Sequence, residues 1–352
     1  RSRIDRLPTR LRKALQISAV LGFEFPEDLY MSTAARLGQS DPATDLKDLV
    51  SLGIISRQIM DGVETVVTND ELSMKAAYDG LLFQNRTLVH KCAAEVLVAS
   101  AGIRQGEAGM VARHLSRAGD YDEASRWAVR AAIEALESMQ HMTAAKWASS
   151  ALKWLKGLPD GEEKTTLRLE ALRIIRESFN GTSRFEGLEE ALMEEIELAR
   201  EMEMPGRAGL ALQILSRLKL FQGRADEAES LCEEGLAAAV VAGNTELEAI
   251  LLTEKAIQWT RSRTEAIELL KTAYSLFEKT GRFDAMSQVY NNIGTILISS
   301  GDIAGAEPFL NKALTLVEGT RFLSVKAQVL VKLGILDGMS GRSDSAIEKL
   351  QA

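Results

Sequence analysis

Apolar and small residues recur along this chain at the spacing of a single helical stripe. Ala144, Trp147, Ala148, Ala151, Leu152 and Leu155 fall at i, i+3, i+4, i+7, i+8 and i+11, and Ala266, Leu269, Leu270, Ala273, Tyr274 and Phe277 repeat the spacing. It places all six on one face of an α-helix. Further copies are Ala228, Leu231, Cys232, Gly235, Leu236 and Ala306, Phe309, Leu310, Ala313, Leu314, Val317, with weaker ones starting at Leu188 and Ala346. The starts at 144, 188, 228, 266, 306 and 346 step by 44, 40, 38, 40 and 40 residues. Turns such as Gly223-Arg224-Ala225-Asp226, Gly301-Asp302-Ile303 and Gly341-Arg342-Ser343-Asp344 precede most copies, and Gly119-Asp120-Tyr121 stands near the front. Glycine there ends one helix in the left-handed region, and the Asp or Ser after it caps the next. The pattern therefore predicts units of helix, tight turn and helix. A bundle of unrelated amphipathic helices has no reason to hold period and offset constant.

The clearest unit shows both of its helices. Tyr290, Ile293 and Gly294 precede Gly301, Ala306, Leu310 and Ala313 at fixed offsets, with Gly294 and Ala306 small where the two helices approach. This resembles the tetratricopeptide family, with a period near 40 in place of the usual value of about 34. The resemblance implies an α-solenoid.

Residues 1–98 do not join the repeat. Helical stripes run through Leu7, Leu11, Ala14, Leu15, Ser18 and through Leu46, Leu49, Val50, Ile54, parted by Gly38 and Pro42. The period then changes to that of strands, Ile54 to Gln58 and Glu64 to Thr68, around the two-residue turn signal Asp61-Gly62. Helices followed by a short hairpin give a winged-helix outline. The expected architecture is thus mainly all-α, with a winged-helix-like module at 1–98 and a tetratricopeptide-like array at 99–352. DNA contact by that module is disfavoured: its candidate recognition helix, Pro42 to Leu52, sets Asp45 and Asp48 against Lys47, and the wing adds Asp61 and Glu64.

A wider likeness rests on particular residues. These are Ile4-Asp5-Arg6-Leu7-Pro8 with Leu11, Ala19-Val20-Leu21-Gly22, Phe25-Pro26, Leu49 to Ile54, Ala76-Ala77-Tyr78-Asp79-Gly80-Leu81-Leu82, Arg86, His90 and Ala93. His114 to Gly119, Trp147 to Leu155 and Leu158-Pro159-Asp160 extend it into the repeats. Together they resemble the region after the ATPase module in bacterial signalling proteins that join a class III adenylate or guanylate cyclase, or a protein kinase, to a STAND/AAA-type ATPase and tetratricopeptide repeats. The chain opens at Arg1 without Met and closes at Ala352 inside a helical pattern, and so reads as a piece of something larger. The resemblance implies an upstream ATPase module in the same polypeptide. One departure is Thr68-Asn69-Asp70, where that family carries an aromatic, a polar residue and a His or Arg ahead of the helix. Regulators of the maltose-activator type share the overall plan and supply an alternative, a sensor arm with DNA binding outside this chain.

Composition narrows the choice further. A formal charge of −8 argues against direct nucleic-acid contact, which needs clustered Lys and Arg. With only Cys92 and Cys232, no disulfide framework or zinc cluster is expected; both read as small core residues, and a cytoplasmic location follows. No apolar run approaches the roughly 20 residues of a membrane span. The glycosylation patterns at Asn85-Arg86-Thr87 and Asn180-Gly181-Thr182 read as coincidental.

Candidate chemistry is sparse. No stretch fits the phosphate-cradling Gly-x-x-x-x-Gly-Lys loop, and no nucleophile motif is present. His90, His114 and His141 lack a Cys or carboxylate at ligand spacing and read as structural or surface residues, so neither metal nor cofactor is expected. The pairs Glu189-Glu190 and Glu194-Glu195 read as a solvated helix face. Enzymatic activity is accordingly not expected. Function is expected on the inner face formed by the first helix of each unit, where a protein or peptide partner would bind. Alignment on Gly294 puts Gln213, Arg217 and Phe221, then Lys255, Gln258 and Trp259, then Asn291 and Thr295 on that face.

Overall fold

A computed structural model describes residues 6–60, 62–99, 107–179 and 187–351. Ile4, Asp5, Asp61 and the Asn180-Gly181-Thr182 pattern lie outside the described residues. The chain divides into two compact units, Arg1–Phe185 and Glu186–Ala352.

The first unit opens with α1 (Thr9–Leu21), β1 (Glu24–Pro26), α2 (Glu27–Arg36), α3 (Pro42–Ser51), β2 (Ile55–Met60), β3 (Val63–Thr68), α4 (Glu71–Asp79) and α5 (Phe83–Ala99). Leu11, Ala14, Leu15, Ile17, Ser18, Val20 and Leu21 of α1 face a core that also takes in Phe25, Tyr30, Leu46, Leu49, Ile54 and Val66. Asp41 caps α3 by accepting from the Thr44 N–H, and Pro42 begins it, where a missing N–H costs nothing. Asp70 caps α4 in the same manner through Ser73. The three strands form an antiparallel sheet in the order β1-β3-β2, with Phe25 opposite Val66 and Arg57 opposite the same Val66 on the other side. Only three residues make β1, and Pro26 within it has no N–H to give.

Two of the acids expected to repel a phosphate backbone are tied to α1. Asp45 is buried, and Arg10 of α1 pairs with both Asp45 and Asp48. The unit continues with α6 (Ala108–Ala118), α7 (Tyr121–Glu137), α8 (His141–Leu155) and α9 (Glu162–Glu177), each packed on the helix before it. Gly119 ends α6 at φ 86°, and Asp120 caps α7 through the Glu123 N–H.

The second unit holds α10 (Leu188–Glu201), α11 (Pro205–Phe221), α12 (Ala225–Val241), α13 (Thr245–Gln258), α14 (Arg263–Thr280), α15 (Phe283–Ser299), α16 (Ile303–Val317), α17 (Leu323–Met339) and α18 (Ser343–Gln351). Neighbours in sequence pack on one another, and α11 also meets α13 while α15 meets α17. The glycine turns lie between helices as the sequence implies: Gly223, Gly301 and Gly341 adopt φ of 78°, 81° and 75°. A Cβ on Gly294 would lie 2.7 Å from the Leu310 side chain, so only glycine lets α15 and α16 approach this closely. Ser287 Oγ reinforces the same pair by donating 2.8 Å to the Ala313 carbonyl.

Three details differ from expectation. Glu195 is fully buried, not solvated, because Arg207 on the next helix ion-pairs with it at 2.9 Å. Cys232 is a core residue, its thiol 3.7 Å from the Leu251 carbonyl, but Cys92 is only half-buried. His90 and His114 take the structural of the two roles expected, being buried, but they also touch, which the sequence did not indicate.

Candidate functional site

In the second unit, α11, α13 and α15 carry the residues expected on the inner face. Gln213 is buried on α11 and donates its amide N–H to Glu254 Oε1 of α13 at 2.6 Å. Arg217, one turn on, brings its Nε to 4.0 Å from the same oxygen. Glu254 is therefore the residue that joins these two helices on this face. Burial pushes its carboxyl up to about 6, against the lowering effects of the Gln213 hydrogen bond and the Arg217 charge. Glu254 Oε2 is buried without a hydrogen bond among the described residues.

The other expected residues are dispersed. Lys255 turns toward α12, where its Nζ meets Glu233 Oε1 at 2.9 Å. Gln258 is exposed at the last position of α13. Trp259 packs against Cys232, Ala239, Leu247 and Leu251, and its indole N–H is buried without a partner among the described residues. Phe221 ends α11 with 47% of its surface exposed. Asn291 is buried on α15, where its backbone carbonyl accepts from Thr295 Oγ1 at 2.8 Å and its Oδ1 has no partner among the described residues.

The displacement at α13 has a local cause. Residues 222–224, 300–302 and 340–342 join the other helix pairs with three residues, whereas 259–262 uses four. One added residue moves the position that meets α11 from Lys255 to Glu254.

A second cluster lies in the first unit. His90 Nδ1 and His114 Nδ1 are 2.9 Å apart, and Tyr78 Oη is 3.3 Å from His90 Nε2. The arrangement that leaves no N–H stranded has His114 Nδ1–H donating to His90 Nδ1 and His90 Nε2–H donating to the Tyr78 oxygen. His114 Nε2 is then a bare lone pair, buried and without a partner among the described residues. Burial, with the charges of Arg117, Arg113 and Arg86, lowers His90 to about 4, and burial, with His90 and Arg113, lowers His114 to about 3. Both rings are consequently neutral at pH 7. A sequence reading could not find this contact, because 24 residues separate the two rings.

Among the described residues, no group of three or more His, Cys, Asp or Glu side chains could hold a metal ion. Nor is any helix long and apolar enough to cross a membrane.

Comparison with known proteins fits this geometry. The tetratricopeptide repeat profile matches residues 287–316, within α15 and α16. A signal transduction ATPase with numerous domains, carrying a tetratricopeptide repeat sensor, from Pyrococcus horikoshii is similar in structure at 14% identity and a TM-score of 0.53. The match covers 99% of this chain and 63% of that one, so the chain spans less than two thirds of its length. BtubC from P. vanneervenii (12% identity, TM-score 0.43, 67% of this chain and 91% of that one) and the apo form of RapI (8%, 0.48, 79% and 92%) are also similar. No curated protein matches. The chain is mainly helical, and its α15–α16 pair matches a tetratricopeptide repeat.

Proposed function

We propose that the chain is a non-catalytic regulatory arm of a larger ATPase-linked signalling protein of the bacterial cyclase- or kinase-associated kind, working in the cytoplasm. Residues 1–98 are a winged-helix-like coupling module, and residues 99–352 are a repeat array whose inner face binds a protein or peptide partner. The carrying observation is the structural likeness over 99% of this chain to an ATPase that bears a tetratricopeptide sensor. The order α1-β1-α2-α3-β2-β3, with its sheet order β1-β3-β2, supports the winged-helix reading.

This module has no face suited to DNA. Asp45 and Asp48 are neutralised by Arg10, and Glu27, Asp28 and Glu64 gather beside the hairpin. Leu82 and Phe83, among its exposed apolar residues, lie together at the corner between α4 and α5 and instead suit a neighbouring protein module.

The parent reading frame tests the first half of the proposal. A phosphate-binding Gly-x-x-x-x-Gly-Lys segment encoded before Arg1 is expected; its absence, or a helix-turn-helix encoded after Ala352, would favour the transcriptional sensor instead. Affinity capture tests the second half. Wild type should recover a partner that the Arg217→Ala/Trp259→Ala variant loses, and equal recovery would remove those residues from the site.

A further inference from the structure

A groove of about 560 Å³ opens between α6, α7 and α8, wholly within the first unit. That volume lies in the range of roughly 300–1,000 Å³ usual for small-molecule sites. Trp147 and Met110 supply its apolar lining, and Ser138, Gln140 and Thr143 supply polar groups. The indole lies directly on α6, because a Cβ on Gly109 would come within 2.6 Å of Trp147 Cζ2. Gly109, in the first turn of α6, makes room for the ring.

Arg113 is the cation of this groove. No carboxylate among the described residues pairs with it or with Arg117, four positions on, whereas nearby Arg126, Arg130 and Arg173 all have acidic partners. Crowding by neighbouring groups lowers its pKa, and Arg117 lowers it further. Its side chain nevertheless keeps exposed surface, so a solute can reach it. Glu134 also lines the groove, but its carboxylate pairs with Arg130 at 3.2 Å, which leaves the partly desolvated Arg113 to seek a counter-charge from a solute. The guanidinium also presents a planar fork of donors that matches two oxygens of a carboxylate or phosphate.

We propose that this groove binds a small organic anion, its carboxylate or phosphate seated on Arg113 and its apolar body against Trp147 and Met110. The site is separate from the inner face of the second unit and stands or falls independently of it. Calorimetry on the full chain tests it with phenyl phosphate and benzoate as probes, and with benzyl alcohol and benzylamine as neutral and cationic controls.

At least one anion should bind saturably and about tenfold or more tighter than either control, as loss of a charge-assisted hydrogen bond requires. The stronger of the two distinguishes phosphate from carboxylate. Arg113→Gln should weaken that binding by a similar factor, while Arg117→Gln, outside the groove, should leave it within about twofold. Thr143→Trp on the exposed rim should block binding without changing the melting temperature, which keeps the test valid should Arg113→Gln unfold. The proposal is overturned by no saturable binding of either anion, by equal binding of benzyl alcohol, or by wild-type affinity in folded Arg113→Gln or Thr143→Trp protein.

Discussion

His90 of α5 and His114 of α6 share one hydrogen bond, Nδ1 to Nδ1 at 2.9 Å, in a site that water does not reach. At least one ring must stay neutral for it to exist, since two imidazolium rings would offer only donors, and burial holds both neutral at pH 7.

Acid should therefore unfold the protein early. Both folded pKa values, about 4 and about 3, lie below the ordinary 6.5, so the unfolded chain binds more protons below pH 6.5. The pair's contribution is complete above that pH and is lost as pH falls toward 4. The expected loss between pH 7 and pH 5 is on the order of 2–4 kcal/mol. Urea titrations at the two pH values should show it, and a folded His90→Gln/His114→Leu variant should show a shallower dependence.

Glu254 should act with the opposite sign. Its pKa is raised to about 6, so the folded state favours the protonated form and loses stability as pH rises through 6. Glu254→Gln keeps the acceptor for Gln213 and removes the buried charge. It should stabilise the protein by about 1–2 kcal/mol at pH 7, with the gain roughly halved at pH 5 and gone near pH 4, as read from denaturant midpoints.

Gly294 and Leu310 should show steric coupling. Gly294→Ala forces a methyl into a side chain that is itself fully buried, for an expected cost of about 1–3 kcal/mol despite the better helix propensity of alanine. Leu310→Ala leaves a cavity of its own. In a double-mutant cycle by thermal melting, the pair should cost clearly less than the sum of the two single variants.

Asp337 should control the last helix. It is buried on α17 and accepts from Arg342 Nε at 2.8 Å, Ser345 Oγ at 2.6 Å and Lys349 Nζ at 2.5 Å, drawing α18 onto α17. The hydrogen bonds from Lys349 and Ser345 hold its carboxyl down at about 2. Asp337→Ala should speed amide exchange throughout 343–351 while leaving α11 to α14 protected, as mass spectrometry would show.

Most of the repeat could be read in advance because it rests on local rules. Glycine turns, caps and apolar stripes are each settled within one helix pair, and the structure sets helices where the stripes run. What escaped the sequence depends on neighbours distant along the chain. Glu195 looks like any surface acid until Arg207 on the next helix faces it. The short β1 has no alternating pattern at all and exists because β3 offers it a free edge. At the inner face, Gln213 and Arg217 come together as the spacing implies, yet they meet Glu254, because the connection after α13 is one residue longer than its counterparts.

That short strand also bears on how copies of the protein behave in crowded solution. An open sheet margin is a template on which another chain can add itself. Here one margin is a three-residue strand containing a proline, and the other carries Arg57, tethered to Glu27 at 2.7 Å. Neither offers a long, uncharged ladder, so the front of the molecule is guarded against fibrous self-association even though Ile59 is bare to water.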